Sequence, residues 1–506
     1  MEPKQQWGSR MGFILAAVGS AIGLGNIWRY PYVAYENGGG AFLIPYLVAL
    51  LTTAIPILLM EYALGHKYRG SSPWSMMKLS KKFEWLGWFQ VLLSFIIVTY
   101  YMVIIGWAAS YAYYSLGLQW GTDTQSFFLN DYLGLSDSVW SFGGIEWKVF
   151  IPVLLLWIIT YWVMRRGVRK GIELASRILL PMLVIMMLMI TFRAITLEGA
   201  STGLNVLFTP NFAKMMEPGV WVAAYGQVFF SLSIGFATMI SYASYLNKKE
   251  DLSNSGFIAA FANSGFEFLA SIAVFGALGF LATQQNVPVE EVVDKGILLA
   301  FSVFPEIINS FPGLNALFGF MFFGALVFAG FTSAVSLIEP SVLALQNKLN
   351  LSRKAAINWI CGVAFLISSM YTFKNGLNIL DIVDHFVNNY GILLGSLLQI
   401  IVIGWVFKQL KPLQQHINSV SDVRVGSWWI IMLKYVSPIM LTIILASYIR
   451  EEATKLYGDF PIDALFTFGY GLIAALFVAA VILNKVKWKG MTEEKKEDET
   501  WDQAHG

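Results

Sequence analysis

The sequence predicts an all-α membrane protein of about 12 transmembrane helices in a five-plus-five inverted repeat with helices 1 and 6 broken, each span crossing roughly 30 Å of hydrocarbon. Three observations predict it. The 506-residue chain is 57% hydrophobic and only 13% charged, too little charge for the surface of a soluble protein of that length. Its apolar residues fall into long segments separated by short polar ones. Two of those segments, five apart, carry small-residue interruptions.

The first segment, near 11–36, contains Gly19-Ser20-Ala21-Ile22-Gly23-Leu24-Gly25-Asn26. Each glycine costs a helix roughly 1 kcal/mol against alanine, and backbone groups freed in lipid find no water. Such a break is stable only where something else binds the freed carbonyls and amides, which points to a substrate or ion. Segments near 41–66, 86–118, 149–165 and 172–195 follow. The sixth, near 219–246, is interrupted around Ser231-Leu232-Ser233-Ile234-Gly235-Phe236. Segments near 254–283, 313–346, 354–372 and 378–407 complete a second set, and those near 427–450 and 461–484 stand outside both. An odd repeat length forces the second set to be inverted in the membrane. The chain thus divides into an N-terminal segment (1–10), a first repeat (11–195), a second repeat (196–407), a terminal helix pair (408–490) and a highly charged tail (491–506) expected to be disordered.

Lysines and arginines concentrate in alternate loops: Lys67 to Lys82, Arg165 to Lys170, Lys248 and Lys249, Lys348 to Lys354, Lys408 and Lys411, Lys485 to Lys489. The positive-inside rule then places both termini in the cytoplasm and the chain in the cell membrane. The opposite loops, near 119–147, 196–218 and 284–312, are longer; Pro288 followed by Glu290, Glu291 and Asp294 suits a helix start. The first apolar run continues into the glycine break and reads as a membrane segment, not a cleavable leader.

Other classes are excluded. A net charge of +2, without a basic tract interleaved with aromatics, argues against nucleic acid. The single cysteine, Cys361, allows no internal disulfide. There is no His-Glu-x-x-His pattern, metal cluster or Ser/His/Asp arrangement, and the four histidines (His66, His385, His416, His505) are scattered, so no enzyme is expected. Acids inside a membrane are expensive and mark function; Glu61, Glu267 and Asp384 are the clearest. Glu267 lies one helical turn after Asn263, on the same face.

Gly23-Leu24-Gly25-Asn26-Ile27-Trp28-Arg29-Tyr30-Pro31-Tyr32, followed by Glu36-Asn37-Gly38-Gly39-Gly40-Ala41-Phe42, resembles the signature of the neurotransmitter:sodium symporter family, its bacterial amino-acid branch most closely. The resemblance continues through Gly226-Gln227-Val228-Phe229-Phe230-Ser231-Leu232-Ser233 and Phe328-Ala329-Gly330-Phe331-Thr332-Ser333, and covers nearly the whole chain. It implies a sodium-coupled symporter importing a neutral, hydrophobic amino acid by alternating access. A nutrient-sensing receptor on a transporter fold is the alternative.

By this resemblance, the amides of Leu24 and Gly25 and the hydroxyl of Tyr101 would hold a substrate carboxylate. The remaining subsite would comprise Ala21, Ile97, Phe230, Ser231, Ser233, Phe236, Ser333 and Leu337. Gly23 stands where monoamine-carrying relatives have an aspartate, which favours a carboxylate over an amine. Two Na+ sites are implied. One uses the Ala21 carbonyl, the Asn26 and Asn263 side chains, and Ser231. The other uses carbonyls of Gly19, Ile22 and Ala329 with the hydroxyls of Thr332 and Ser333. Read without the family, adjacent Thr332 and Ser333 would bond to their own helix backbone.

In chloride-dependent relatives a chloride sits near residues matching Tyr46, Gln227 and Ser231. Here Glu267 replaces a serine, so its carboxylate is expected to substitute for the anion. Glu61 is expected to accept hydrogen bonds from amides freed at the breaks. Arg29 and Asp384 resemble an outer gate pair above a Phe230 lid. Trp7 and Tyr245 match the inner gate, with Lys4 near the usual arginine. Asn347 replaces the usual aspartate, so Glu339 is the expected stand-in, paired with Lys4. The last two segments lie outside the repeat and are free to form a homodimer contact.

Overall fold

The computed structural model describes residues 5–293 and 296–489. Lys4, Asp294 and the charged stretch 491–506 lie outside the described residues. Within them the regular structure is helical, apart from one isolated bridge between Ile145 and Phe373.

All twelve apolar segments fall on helices. The first is a pair, α1 (Arg10–Ala21) and α2 (Gly25–Glu36), bent by 56° at the glycine break. Then come α3 (Gly39–Tyr68), α4 (Lys81–Tyr114), α5 (Trp147–Arg165) and α6 (Val168–Ile195). The sixth segment is again two helices, α7 (Pro218–Ser231) and α8 (Thr238–Ser244). The rest are α9 (Leu252–Gln285), α10 (Asn315–Leu349), α11 (Arg353–Met370), α12 (Gly376–Val406), α13 (Ser427–Asp459) and α14 (Ile462–Lys485). Among the described residues, nine of these helices are each long and apolar enough to span a membrane, and the bent pair makes ten. The two segments that fall short do so for local reasons. The sixth is divided into 14- and 7-residue pieces, and α11 opens with Arg353 and Lys354.

Burial sorts the spans into a core and a lipid-facing shell. Within the apolar stretch of α10, 89% of residues are buried, against 22% for α14. Helix α10 runs through the middle and packs along α4, with α1, α6 and α11 around it. The outer helices α5, α6 and α14 present Trp147, Trp162, Phe192 and Phe466 outward, as expected where hydrocarbon replaces water. Helix starts are capped by the residue types that suit them. The Ser9 hydroxyl accepts from the Gly12 amide at 3.0 Å, the Asp251 carboxylate from Asn254 at 3.0 Å, and Ser352 from Ala355 at 3.3 Å.

The loop between α6 and α7 contains a helix, Ala200–Phe208, that lies directly on α9. Glycines permit the approach. A Cβ on Gly203 would stand 2.7 Å from the Gly279 amide nitrogen and 2.9 Å from its Cα, both backbone atoms that cannot turn aside. Gly203→Val is therefore expected to destabilise the protein by about 1–3 kcal/mol. A lowered thermal unfolding midpoint in detergent checks this; an unchanged midpoint would contradict the packing.

Candidate functional site

The first break exposes backbone at the centre of the bundle. Helix α1 ends at Ala21, and Ile22 is extended (φ −71°, ψ 102°). The freed amides find side chains: Gly23 donates to Asn26 Oδ1 at 2.8 Å and Leu24 to the Tyr101 hydroxyl at 2.9 Å. The Ser20 carbonyl accepts from the Ser233 hydroxyl at 2.9 Å, which ties this break to the second. Among the described residues, no backbone amide reaches the carbonyls of Gly19, Ala21 or Ile22.

The second break, between α7 and α8, turns through three left-handed residues: Ser233 (φ 51°), Gly235 (φ 84°) and Ala237 (φ 59°). For Ser233 and Ala237 this is strained backbone, held only by surrounding contacts. Those contacts are visible. The Gly235 amide donates to Glu61 Oε1 at 2.9 Å, and the Ser94 hydroxyl donates to the Phe236 carbonyl. Glu61, fully buried on α3, therefore accepts a freed amide, as expected from its place in the sequence.

Asn26, Ser231, Asn263 and Glu267 form one buried network. Asn26 Nδ2 donates to Asn263 Oδ1 at 2.8 Å, and Asn263 Nδ2 to Ser231 Oγ at 2.5 Å. Ser231 in turn donates to Glu267 Oε1 at 2.8 Å, as does Gln227 Nε2 at 2.7 Å. Tyr46 donates to the other oxygen, Oε2. The Glu267 carboxylate, with no exposure, thus sits among the three donors expected around it. For a hard cation this end offers oxygen ligands: two amide side chains, a hydroxyl and the free Ala21 carbonyl.

The second expected ion set converges less completely. Gly19 lies against Thr332, where an added Cβ would be 3.5 Å from the hydroxyl oxygen. Thr332 Oγ1 donates back to its own helix, at 3.0 Å from Phe328 O and 3.1 Å from Ala329 O, the arrangement expected of a membrane-helix threonine on general grounds. Its lone pairs, with the free carbonyls of Gly19 and Ile22, still suit a cation. The Ser333 carbonyl accepts from Ser336, whose hydroxyl also meets Ser20 at 2.7 Å.

A cavity of about 1070 Å³ opens beside both breaks. Ala21, Leu24, Gly25, Ile97, Tyr101, Phe230, Ser231, Ser233, Phe236, Ser333 and Leu337 all line it, together with Ser20 and Ile104, which the sequence reading missed. It continues past Arg29 and Asp384 to the turn of Lys455 to Asp459. Along this path the Arg29 guanidinium lies 4.6 Å above the Phe230 ring. Asp384 accepts from Asn388 at 2.7 Å. Arg29 and Asp384 share the cavity wall without forming an ion pair.

The other end is sealed. Trp7 donates through its indole to the Tyr242 carbonyl at 2.8 Å, and its amide meets the Tyr245 carbonyl at 3.2 Å. Glu173 accepts from the Gly8 amide at 2.6 Å. Arg10 lies 3.7 Å from Asp251. Burial alone pushes the Asp251 carboxyl up, but the amides of Asn254 and Asp422, with Arg10, hold it below the usual carboxylate range. The pairing expected between Lys4 and Glu339 falls on a residue, Lys4, outside those described. Glu339 is gripped by Arg353 through two bonds of 2.6 Å, with Tyr245 donating at 2.5 Å. Asn347 Oδ1 accepts from the Ser71 amide at 2.9 Å. Arg353 was not singled out because it opens α11 beside Lys354, where it reads as one more surface charge.

Comparison with known proteins follows the same lines. The family model described as the sodium:neurotransmitter symporter family matches residues 4–126 and 119–490. An uncharacterised sodium-dependent transporter of Methanocaldococcus jannaschii is 42% identical over 484 residues, covering 96% of this chain and 98% of the relative. The human sodium- and chloride-dependent GABA transporter 2 is 29% identical over 441 residues, covering 79% of this chain and 73% of the relative. The Caenorhabditis elegans sodium-dependent dopamine transporter is 27% identical over 516 residues, covering 91% and 83%.

Removing one member of the sealed pair tests its weight. Arg353→Met leaves Glu339 buried and uncompensated, and should cost about 3–5 kcal/mol. The paired change Arg353→Met with Glu339→Leu should recover most of that loss. Thermal unfolding of the four proteins of this cycle measures the coupling, and additive effects would contradict it.

Proposed function

The chain belongs to the sodium:neurotransmitter symporter family, whose members are sodium-dependent membrane symporters, and we propose that its cargo is a neutral, hydrophobic α-amino acid. In this reading the cargo enters with sodium from two sites and without chloride, by alternating access. The observation that carries it is the floor of the cavity. There the Leu24 amide and Tyr101 hydroxyl converge at the N-terminus of α2, which adds roughly half a positive charge. These groups suit a carboxylate. The surrounding Ile97, Ile104, Phe236 and Leu337 suit an apolar side chain.

Gly23 supports a carboxylate over an amine. A Cβ there would stand 2.7 Å from the Tyr101 hydroxyl oxygen, so an acidic side chain could enter only by displacing Tyr101. Of the cargoes named for relatives, dopamine has no carboxylate for this floor and GABA has one.

Sodium would be held by Ala21, Asn26, Ser231 and Asn263 at one site, and by Gly19, Ile22, Ala329, Thr332 and Ser333 at the other. Its charge beside the bound carboxylate would couple ion to solute. Glu267 takes the part of chloride: a carboxylate among Tyr46, Gln227 and Ser231 is a fixed anion, so none need be recruited. Arg29, Asp384 and Phe230 would close the open path, and Trp7 and Tyr245 would part to open the sealed one. With both termini cytoplasmic, the open path faces outward.

Uptake of labelled amino acids into proteoliposomes, with and without a sodium gradient, tests the reading. Sodium-driven uptake of apolar amino acids is expected. Uptake of a monoamine but of no amino acid would overturn it. Wild-type transport should persist when chloride is replaced by gluconate, and Glu267→Ser should become chloride-dependent; an absolute chloride requirement in the wild type would sink that part. Tyr101→Phe removes one neutral donor, worth about 0.5–1.5 kcal/mol, so KM for the amino acid should rise by up to about tenfold. An unchanged KM would remove Tyr101 from the substrate site.

A further inference from the structure

Chain beyond the last membrane helix turns back onto the protein. After α14 ends at Lys485 the backbone is extended, with Val486 at φ −65° and ψ 136°. In Lys485-Val486-Lys487-Trp488-Lys489 the tryptophan is half-buried and its neighbours are exposed. Trp488 turns inward and the three lysines are exposed.

What Trp488 reaches is a buried ion pair. Glu84, at the start of α4, has no exposure, and Lys348, near the end of α10, has 1%. Lys348 donates to Glu84 Oε1, which also accepts from the Trp88 indole at 2.9 Å. The other oxygen, Oε2, accepts from the Trp488 indole at 2.9 Å. The Lys348 ammonium lies 4.5 Å from the Trp488 ring centre, and the Lys489 amide donates to the Lys348 carbonyl at 2.9 Å. This strap, 485–489, is therefore bound at three points: the Glu84 carboxylate, the Lys348 ammonium and the Lys348 carbonyl.

Its position gathers positive charge. Trp488 packs edge-on against Trp74 at 5.2 Å, on the short helix Ser72–Leu79. That helix carries Lys78, whose ammonium lies 4.8 Å from the Trp74 ring centre, and the next turn carries Lys81 and Lys82. Lys78 of the α3–α4 loop and Lys81 and Lys82 at the start of α4, all exposed, thus stand beside three exposed lysines of the strap. Among the described residues none of the six forms an ion pair.

We propose that this platform, Lys78, Lys81 and Lys82 with Lys485, Lys487 and Lys489 set around Trp74 and Trp488, binds the headgroup phosphate of an anionic membrane phospholipid. A soluble anion would need no particular depth. Here the lysines flank the end of a membrane span, and two indoles lie beneath them, the residue type that settles at the headgroup level. Lysines in that position are each worth about 1 kcal/mol toward anionic lipid. The buried pair makes the platform a property of the fold, because Trp488 holds the strap lysines at a fixed place.

The test uses the full chain in nanodiscs of phosphatidylcholine containing about one-fifth phosphatidylglycerol, released into mild detergent, with retained lipid counted by native mass spectrometry. The wild type should retain phosphatidylglycerol over phosphatidylcholine. Lys485→Gln with Lys487→Gln and Lys489→Gln should weaken that retention at least about tenfold. Trp488→Ala keeps every lysine and should weaken it too, because the strap is no longer held. The lysine variant alters only surface positions, so it decides the matter even if Trp488→Ala does not fold. Retention unchanged in the lysine variant overturns the proposal, and so does wild-type retention in a folded Trp488→Ala protein. Equal displacement by millimolar inorganic phosphate would assign the platform to a soluble anion. Phosphatidylglycerol retained only after removal of 491–506 would assign it to the chain's own acidic stretch, which holds Glu493, Glu494, Glu497, Asp498, Glu499 and Asp502.

Discussion

Backbone polar groups without partners cost several kcal/mol each in hydrocarbon, and both broken helices release such groups at the middle of the protein. Most of the remaining polar architecture answers that constraint. Asn26 and Tyr101 accept the amides of Gly23 and Leu24. Glu61 accepts that of Gly235, Ser94 donates to the Phe236 carbonyl, and Ser233 to that of Ser20. Among the described residues, the first-break carbonyls of Gly19, Ala21 and Ile22 take no backbone amide, on the side where oxygen-bearing side chains gather. The breaks therefore bind each other through side chains and leave several backbone carbonyls without an amide partner.

The buried acids divide by what they face. Glu61 meets backbone, Glu267 meets three side-chain donors, and Glu339 and Glu84 each meet a buried cation. The last two pairs fasten the closed end, one beneath Tyr245 and one beneath the strap. Neither depends on the cavity. Their cost in desolvation is offset by close bonds on every side, and the pairing fixes which helix ends must stay together. Trp7 at the same end is held instead by neutral bonds, to the carbonyls of Tyr242 and Tyr245.

Legibility in the sequence followed the physics of each signal. Hydropathy is a strong, long-range pattern, so all twelve segments were visible, and the glycine-rich stretch located the first break to within a few residues of its observed position at Ile22 to Leu24. The second break was read at Ser231 to Phe236, and the helix resumes only at Thr238, because an alanine at position 237 gives no hint that it adopts a left-handed turn. The candidate residues near the breaks were named through motif likeness, and those of the expected subsite line one cavity. The cations Lys348 and Arg353 were read as topology markers, since a charge in a loop-adjacent run looks the same whether it is solvated or buried. Their acidic partners stand on helices distant or offset in sequence, and only packing shows the match. Glu173 was missed for the same reason: its partners are backbone and hydroxyl groups at Gly8 and Ser9, which carry no charge signal.

The one-sided cavity has an electrical consequence. A wide vestibule filled by its bath conducts and so brings that bath's potential down to its floor, beside Leu24 and Tyr101. The transmembrane voltage must then fall almost wholly across the sealed half, between the breaks and Trp7. A unit charge crossing that half collects nearly the full field, about 2.3 kcal/mol per 100 mV, while one descending the vestibule collects little. In this conformation the bilayer's electrical thickness is concentrated in the short stack of Trp7, Tyr242, Tyr245, Glu339 and Arg353.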